Sequence, residues 1–200
     1  MSLTIAIPTG RLKKECLDLL GVGNELKNKN SRKLVYLVNG YKLIEVKPID
    51  VPIYVENGVA DCGFVGKDIL LENDYEVYEL YDCKIGKCHL ALAQTNLQEI
   101  KSIATKYVNI AKDYCLGNNL QVNIIKLNGS VELAPLLGLS NTILDIVSTG
   151  NTLKANSLIE TEKIRDISVR LIANKASYQI KRDKITALME DMQNKENKNA

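Results

Sequence analysis

The protein has 200 residues, of which 46% are apolar and 25% are charged. That length and apolar content suffice for one large domain or two small lobes. The 26 Lys and Arg side chains nearly balance the 24 Asp and Glu side chains, which argues against a surface built to bind a nucleic-acid duplex.

The N-terminal segment and the cysteines favour a cytoplasmic location. Residues 1–8 carry no basic region and only a short apolar run, which predicts a first strand rather than a signal peptide. No apolar stretch approaches the roughly 20 residues that a membrane span needs. The five cysteines form no C-x-x-C pair, and an odd number without an export signal indicates reduced thiols in the cytosol. The single histidine, His89, has no partner at ligand spacing, which argues against structural zinc.

The first part of the chain predicts a strand, a helix, a hairpin and a second helix. Residues 3–7 form a short apolar strand, and apolar residues at helical spacing follow over residues 11–20. Asn39-Gly40 separates two β runs and supplies the positive φ angles of a type I′ hairpin turn. Asp50 is expected to cap a short helix that tolerates Pro52 in its first turn.

After Gly58 the pattern alternates between strands and helices. Strands are predicted at residues 62–65, 76–80, 88–93, 101–104, 122–127, 142–147 and 167–173. Helices are predicted at about residues 68–73, 107–116, 130–137, 151–157 and 177–192, with a frayed tail from residue 194. This alternation indicates a mainly parallel sheet with helices on its faces.

One segment of the sequence resembles another. Residues 61–70 and residues 145–153 each begin with an Asp and have a Gly five residues later, just before a helix start. Each follows a short helix with a good capping residue, Asp50 or Ser130. Two copies of one βα unit predict two similar lobes that face each other across a cleft, with both Gly turns pointing into it. Two unrelated βα turns would also look alike, so the repeat alone does not decide the architecture.

The strongest candidate site is the Ser-Thr-Gly-Asn-Thr loop at residues 148–152. It offers three hydroxyls, an amide side chain and backbone N–H groups at the start of a helix, which together suit a phosphate. Gly150 lets the backbone curl around an anion, and Asp145 on the preceding strand can accept hydrogen bonds from sugar hydroxyls. The alternative is a hydroxyl-rich helix cap that binds no ligand.

Gly10-Arg11, at the end of the first strand, is a second candidate. The planar guanidinium of Arg11 suits phosphate oxygens or a purine face, although a solvated arginine is the alternative. His89 and the strand cysteines Cys62 and Cys88 are expected to be structural. No Walker A, G-x-S-x-G or H-E-x-x-H motif supplies a nucleophile or general base, which favours a reaction that depends on positioning and charge stabilisation.

Six longer segments occur together in one order. They are Ile-Pro-Thr-Gly-Arg-Leu at residues 7–12, residues 50–61, residues 63–72, Ile-Ala-Thr-Lys-Tyr at residues 103–107, residues 127–135 and residues 145–153. Together they resemble the ATP phosphoribosyltransferase catalytic chain, the first enzyme of histidine biosynthesis. The resemblance extends from about residue 3 to residue 175. The chain departs from the family pattern at Thr9, where Lys is usual, and at Lys47, where Arg is common before Asp50.

The resemblance implies an α/β, two-lobed fold like that of the type II periplasmic binding proteins, with mixed, mainly parallel sheets. Lobe I is then expected at residues 1–89 plus 174–200, and lobe II at residues 90–173. A chain that ends at Ala200 has no room for the histidine-binding domain of the long form. It therefore resembles the short form, which works with a catalytically dead relative of histidyl-tRNA synthetase. We also expect a homodimer or a higher oligomer of this chain alone.

The resemblance also implies a reaction. N1 of the adenine of ATP attacks C1 of phosphoribosyl pyrophosphate, and pyrophosphate leaves with Mg²⁺ that is held mainly by the substrate rather than by the protein. Arg11 and Asp145 are expected to position the reactants. The residues implied for phosphoribosyl pyrophosphate are Asp145, Ser148, Thr149, Gly150, Asn151, Thr152 and Leu153. The residues implied for ATP are Gly10, Arg11, Gly66 and Lys67.

Two other functions fit parts of the pattern. A small-molecule-binding module can have the same two lobes, but it would normally carry an export signal. Another phosphoribosyltransferase, acting on orotate or a free purine, would normally show two adjacent acidic residues before the Thr-Gly loop. Here Leu144 precedes Asp145.

Overall fold

The structure is a computed structural model that describes residues 2–26 and 33–199. The chain divides into two compact units. The first unit is formed from the residues up to Leu70, from Asp74–Gly86 and from Ser168 onward, and the second from Leu71–Asn73 and Lys87–Ile167. No helix in the described ranges is long and apolar enough to cross a membrane.

Strands and helices alternate along most of the chain. The strands are β1 (Leu3–Pro8), β2 (Val35–Val38), β3 (Tyr41–Val46), β4 (Cys62–Gly66), β5 (Val77–Asp82), β6 (Cys88–Gln94), β7 (Ser102–Thr105), β8 (Asn123–Lys126), β9 (Thr142–Val147), β10 (Ile159–Ile167) and β11 (Val169–Asn174). The α-helices are α1 (Leu12–Leu20), α2 (Gly23–Leu26), α3 (Val51–Glu56), α4 (Lys67–Glu72), α5 (Val108–Gly117), α6 (Leu133–Leu136), α7 (Asn151–Ala155), α8 (Lys175–Ile180) and α9 (Arg182–Asn199).

Each unit is built on one mixed sheet. The first sheet has the order β2-β3-β1-β4-β11-β5, and the second has the order β10-β6-β9-β7-β8. Parallel pairing joins β1 to β3 and β4, and joins β7 to β8 and β9. The other described pairs are antiparallel. The mixed α/β class is therefore confirmed, but the sheets are less parallel than predicted, because β2, β5, β6, β10 and β11 all run against their neighbours.

Burial on both faces explains the apolar run of β1. Ile5 and Ile7 point into a core that also contains Cys16 of α1 and Leu188 of α9. Ala6 points to the opposite face, where it packs in the cluster of α3 and α4. Because helices cover both faces of the sheet, this strand carries no alternating polar residues.

The second sheet is also buried on both faces. Leu90 and Leu92 of β6 pack in the cluster that includes α5, whereas Ala91 and Ala93 pack in the cluster that includes α6 and α7. The Leu-Ala-Leu-Ala alternation thus places large side chains toward one layer and small ones toward the other.

Several local predictions can be compared with the structure. The hairpin is confirmed, with Asn39 at φ 47° and Gly40 at φ 79° between β2 and β3. The two predicted caps fare differently. Asp50 is the residue just before α3, as predicted, but its side chain makes no capping hydrogen bond. Ser130 is not a cap, because it lies at φ 48° three residues before Leu133, where α6 begins.

The boundaries of the units differ from those of the predicted lobes. Strand β11 lies in the first sheet, between β4 and β5, although residues 90–173 were assigned to lobe II. Conversely, Cys88 and His89 lie in the second sheet rather than in lobe I. The return of the C-terminal helices to the first unit agrees with the expectation, but they form α8 and α9 instead of one helix at 177–192, and α9 continues to Asn199.

Candidate functional site

A glycine in the left-handed region shapes the loop between β9 and α7. Gly150 has φ 73°, and a Cβ added there would meet nothing within 4 Å. The backbone conformation rather than crowding therefore calls for glycine. The carbonyl of Gly150 accepts a hydrogen bond from the Lys154 N–H at 3.0 Å, which starts α7. The N–H groups in the first turn of α7 have no acceptor within that helix.

A cavity of about 130 Å³ opens at this loop. Its lining includes all seven residues that the family resemblance implies for phosphoribosyl pyrophosphate. The lining residues are Glu132, Asp145, Ile146, Val147, Ser148, Thr149, Gly150, Asn151, Thr152 and Leu153. Hydroxyl groups, backbone amides and a carboxylate thus share a concave surface at the C-terminal end of β9, which suits a phosphorylated sugar.

Asp145 has a carboxylate oxygen that is not satisfied within the described residues. Its side chain is 21% exposed, and its Oδ1 is buried without a hydrogen-bond partner there. The Lys106 Nζ lies 3.5 Å from this oxygen, which is close enough for an ion pair. Burial raises the pKa of Asp145 above its ordinary value, Lys106 opposes that rise, and Glu132 adds to it. Because Asp145 also lines the cavity, its carboxylate is an acceptor group there that suits a ligand hydroxyl.

Sequence reasoning missed two charged residues next to this cavity. Glu132 lines it from the start of α6, and Lys106 reaches Asp145 from the end of β7. Lys106 belongs to the Ile-Ala-Thr-Lys-Tyr segment that contributed to the family resemblance, but its role depends on which strands are neighbours. A parallel pairing of the strands at 102–105 and 142–147 would have placed Lys106 beside Asp145.

The first unit carries the other predicted residues at one edge of its sheet. Gly10 follows β1 and has φ 82°, and Arg11 is exposed just before α1. Gly66 ends β4, which is parallel to β1, so the two turns lie at the same edge. Lys47 follows β3, which is also parallel to β1, and is exposed at that edge.

Lys67 is already engaged within the first unit. Its ammonium forms an ion pair with Glu79 of β5, and its backbone N–H donates to the Ser168 carbonyl at 3.0 Å. A nucleotide phosphate would therefore have to draw the Lys67 side chain away from Glu79, and the backbone N–H is occupied. Lys67 contributes less preformed anion-binding capacity than its position suggested.

The side chains that were expected to be structural have structural surroundings. The Nε2 of His89 lies 2.8 Å from the Glu160 Oε1 on the neighbouring strand β10. Cys62 is buried, and burial raises the pKa of its thiol. Cys88 is only partly buried. Neither His89 nor Cys62 lines the cavity at Gly150.

Comparison with known proteins identifies the family. The model of the family "HisG: ATP phosphoribosyltransferase" matches residues 47–194. An ATP phosphoribosyltransferase of Brachyspira hyodysenteriae is 48% identical over 202 residues, which cover 96% of this chain and 98% of that protein. The enzyme of Caldicellulosiruptor bescii is 52% identical over 192 residues, with coverage of 90% and 92%. The chain belongs to the ATP phosphoribosyltransferase family.

A solved structure agrees with this assignment. One chain of the "ATP phosphoribosyl transferase (HisG:HisZ) complex from Thermotoga maritima" superposes with a TM-score of 0.82 at 35% identity. The match covers 96% of this chain and 97% of that one, as expected for the short form of ATP phosphoribosyltransferase. The assignment to the first step of histidine biosynthesis is thereby confirmed, and a solute-binding module or an enzyme acting on orotate is set aside.

Proposed function

We propose that the cavity at Gly150 holds phosphoribosyl pyrophosphate, with its 5′-phosphate on residues 148–153 and its ribose beside Asp145. The observation that carries this proposal is the meeting of hydroxyl side chains, the start of α7 and the Asp145 carboxylate in the lining of one cavity. The amides and hydroxyls suit the phosphate, and the carboxylate suits the ribose hydroxyls.

The acceptor in this reaction is N1 of the adenine of ATP. Its lone pair forms a bond to C1 of the ribose, while the bond from C1 to the pyrophosphate oxygen breaks and its electron pair leaves with pyrophosphate. N1 carries no proton that must be removed before attack, so the chain needs no general base. Its tasks are to orient C1 and to stabilise charge.

Asp145 is the residue that we assign to the ribose. As a carboxylate it accepts hydrogen bonds from the sugar hydroxyls, and its negative charge stabilises the positive charge that builds on the ring as the C1–oxygen bond breaks. Mg²⁺ enters as part of the substrate, bound to the pyrophosphate, and neutralises charge on the leaving group.

ATP belongs, in this proposal, to the edge of the first sheet that carries Gly10, Arg11, Gly66 and Lys67. Arg11 supplies the planar donor group for phosphate oxygens or the adenine face. Lys47 lies at the same edge and adds a second cation there. Lys67 can take part only after it leaves Glu79.

A synthetase-like partner and a cytoplasmic location complete the proposal. The Thermotoga chain is described in a complex with HisZ, and its likeness to this chain over nearly the whole length supports a partner of that kind. None of the five cysteines, all of which lie in the described ranges, forms a disulfide, which suits a reducing compartment.

Thr152→Ala tests the assignment of the loop. Loss of one hydroxyl donor to a charged acceptor should weaken phosphoribosyl pyrophosphate binding by about 10- to 150-fold, which corresponds to roughly 1.5–3 kcal/mol. ATP binding should not change. Isothermal titration calorimetry with each ligand measures both quantities.

Thr95→Ala is the matched control. Thr95 follows β6, which runs antiparallel to β9, so it lies at the opposite edge of the second sheet from Gly150. This variant should bind both ligands like the wild type. Equal weakening of both ligands by Thr152→Ala would make the loop structural, and weakening of ATP alone would reverse the assignment of the two sites.

A further inference from the structure

Lys106 lies next to Asp145 because of the register of two strands. The parallel pairing of β7 and β9 ends with Thr105 opposite Leu144. Lys106 is the residue directly after β7, and Asp145 is the residue after Leu144 in β9, so the two positions follow the last described pair. The Lys106 Nζ is 3.5 Å from the Asp145 Oδ1. The strand pairing thus brings the two residues close enough for an ion pair.

The backbone around Lys106 is held firmly. The Thr105 hydroxyl donates to the Leu144 carbonyl at 2.7 Å and accepts from the Tyr107 N–H at 2.9 Å. Thr105 and Tyr107 are both buried. The Lys106 Nζ also lies 4.8 Å from the centre of the Tyr107 ring, within the range of a cation–π contact. The ammonium thus contacts both an aromatic ring and a carboxylate, although the side chain is 42% exposed.

Lys106 favours the ionised form of Asp145 against two opposing influences. Burial raises the pKa of Asp145 and the charge of Glu132 adds to that rise, whereas Lys106 and a hydrogen bond from the Ile146 backbone lower the pKa. On the other neighbouring strand, β6, the residue opposite Asp145 is Ala91, which carries no charge. Among the described residues, the charged side chains that act on this carboxylate are therefore Lys106 and Glu132, and only Lys106 favours the ionised form.

We propose that Lys106 is a positioning residue for phosphoribosyl transfer, which acts through Asp145 by keeping it a carboxylate directed at the ribose hydroxyls. This inference rests on the proposed function of the Gly150 cavity. Lys106 does not replace the loop as the phosphate site, and its ammonium does not contact the reacting atoms. A neutral side chain at this position would leave the Asp145 carboxylate beside Glu132 without a counter-charge, with only the Ile146 backbone hydrogen bond still favouring its ionised form.

The first test needs no ligand. Lys106→Met keeps the aliphatic stem against Tyr107 and removes the charge, and the side chain is 42% exposed, so folding should be retained. The Asp145 carboxyl carbon is followed by nuclear magnetic resonance as a function of pH. Its titration midpoint should rise by about one pH unit or more in Lys106→Met and return toward the wild-type value in Lys106→Arg. Lys112→Met, on the exposed side of α5, is the control and should leave it unchanged.

The second test measures phosphoribosyl pyrophosphate binding by calorimetry at two pH values. The quantity compared is the dissociation constant of Lys106→Met divided by that of the wild type. Protonation of the ligand affects both constants equally and therefore cancels in this ratio. That ratio should be about tenfold larger on the acid side of the shifted midpoint than on the alkaline side. In an Asp145→Asn background, Lys106→Met should have no further effect.

The outcomes separate two failures. An unchanged Asp145 titration in Lys106→Met, or losses that add in the double variant, would overturn the positioning role, and added losses would mean direct contact with the substrate. Wild-type protein that fails to bind phosphoribosyl pyrophosphate would overturn the proposed function and, with it, this inference. Wild-type binding with an unaffected Lys106→Met variant would overturn this inference alone.

Discussion

Asp61 and Asp145 occupy equivalent places in the two similar sequence segments, yet they have opposite surroundings. Asp61 is 5% exposed and accepts hydrogen bonds from the Thr4 N–H, the Ser177 hydroxyl and the Lys181 ammonium at 2.7–2.8 Å. Burial raises its pKa, but these donors, with Lys181 the strongest, hold the pKa below its ordinary value. Asp145 has an unsatisfied oxygen and a raised pKa. Asp61 is therefore tied into the fold, whereas Asp145 lines the cavity where we place the ribose.

We expect Asp61→Asn to destabilise the protein by roughly 3 kcal/mol, because it leaves Lys181 without its counter-charge in a largely buried site. Urea unfolding followed by circular dichroism measures the change. Asp166→Asn is the matched control. Asp166 pairs with Lys163 at 2.6 Å, but its side chain is 80% exposed, so its loss should cost within about 1 kcal/mol. Similar losses for both variants would contradict a special role for Asp61.

The stabilities of the wild type and of Asp61→Asn should also differ in their dependence on pH. Since the folded-state pKa of Asp61 is lowered, its contribution is present above the ordinary aspartate value of about 3.9 and is lost as the pH falls through the folded-state value. The difference in unfolding free energy between wild type and Asp61→Asn should therefore shrink below about pH 4. A difference that stays constant as the pH is lowered would contradict the ion pair.

At the scale of secondary structure, the sequence predicted elements whose pattern is local. The strand at 142–147 and the hairpin at Asn39-Gly40 were predictable because their apolar runs and turn residues are decided by neighbours in sequence. Strand β10 was missed. Most of its residues are exposed, and it exists because it pairs with β6 across some 70 residues of chain. A pairing between strands so far apart in sequence leaves no periodic pattern of apolar residues by which it could be predicted.

The candidate site was predictable to a similar extent. Residues 148–152 and Asp145 stand close together in sequence, so their common cavity could be anticipated. Lys106 and Glu132 come from other elements, and their approach to Asp145 depends on strand order and register. The sequence repeat was also misleading, because Asp145 lies inside β9 whereas Asp61 precedes β4. Tertiary contacts decide what each aspartate does.

Helix α3 packs closely on β4 only because residue 63 is glycine. A Cβ at Gly63 would lie 2.7 Å from the Val51 Cγ1, 3.0 Å from the Val55 Cγ2 and 3.1 Å from the Ala6 Cβ. We expect Gly63→Ala to force α3 away from the sheet and to destabilise the protein by roughly 1–3 kcal/mol. Urea unfolding again measures the effect.

Gly117→Ala is the control for this prediction. Gly117 ends α5, and a Cβ there would meet nothing within 4 Å. Its replacement should leave stability unchanged or raise it by up to about 1 kcal/mol, because alanine loses less backbone entropy on folding. Destabilisation of the same size at both positions would show that close packing of α3 is not the cause.

At the scale of the whole molecule, the chain forms two units that each carry a candidate binding site. The second unit has the Gly150 cavity, and the first unit has the edge with Gly10 and Arg11. The likeness to the Thermotoga chain extends over 96% of this chain and is not confined to either unit. The effect of the expected partner should therefore be tested on the chain with both of its units present.

We expect a HisZ-type synthetase-like subunit to bind this chain, to raise pyrophosphate release from ATP and phosphoribosyl pyrophosphate, and to make that release sensitive to histidine. Size-exclusion chromatography with light scattering shows the assembly, and also whether the isolated chain is at least a homodimer.

Calorimetry should show no tight histidine binding to the isolated chain, because we place the histidine site on the partner. The Thr152→Ala variant is the control, since it should assemble normally and release pyrophosphate poorly, which separates assembly from catalysis. Tight histidine binding to this chain alone, or full activity that the partner does not change, would contradict the prediction.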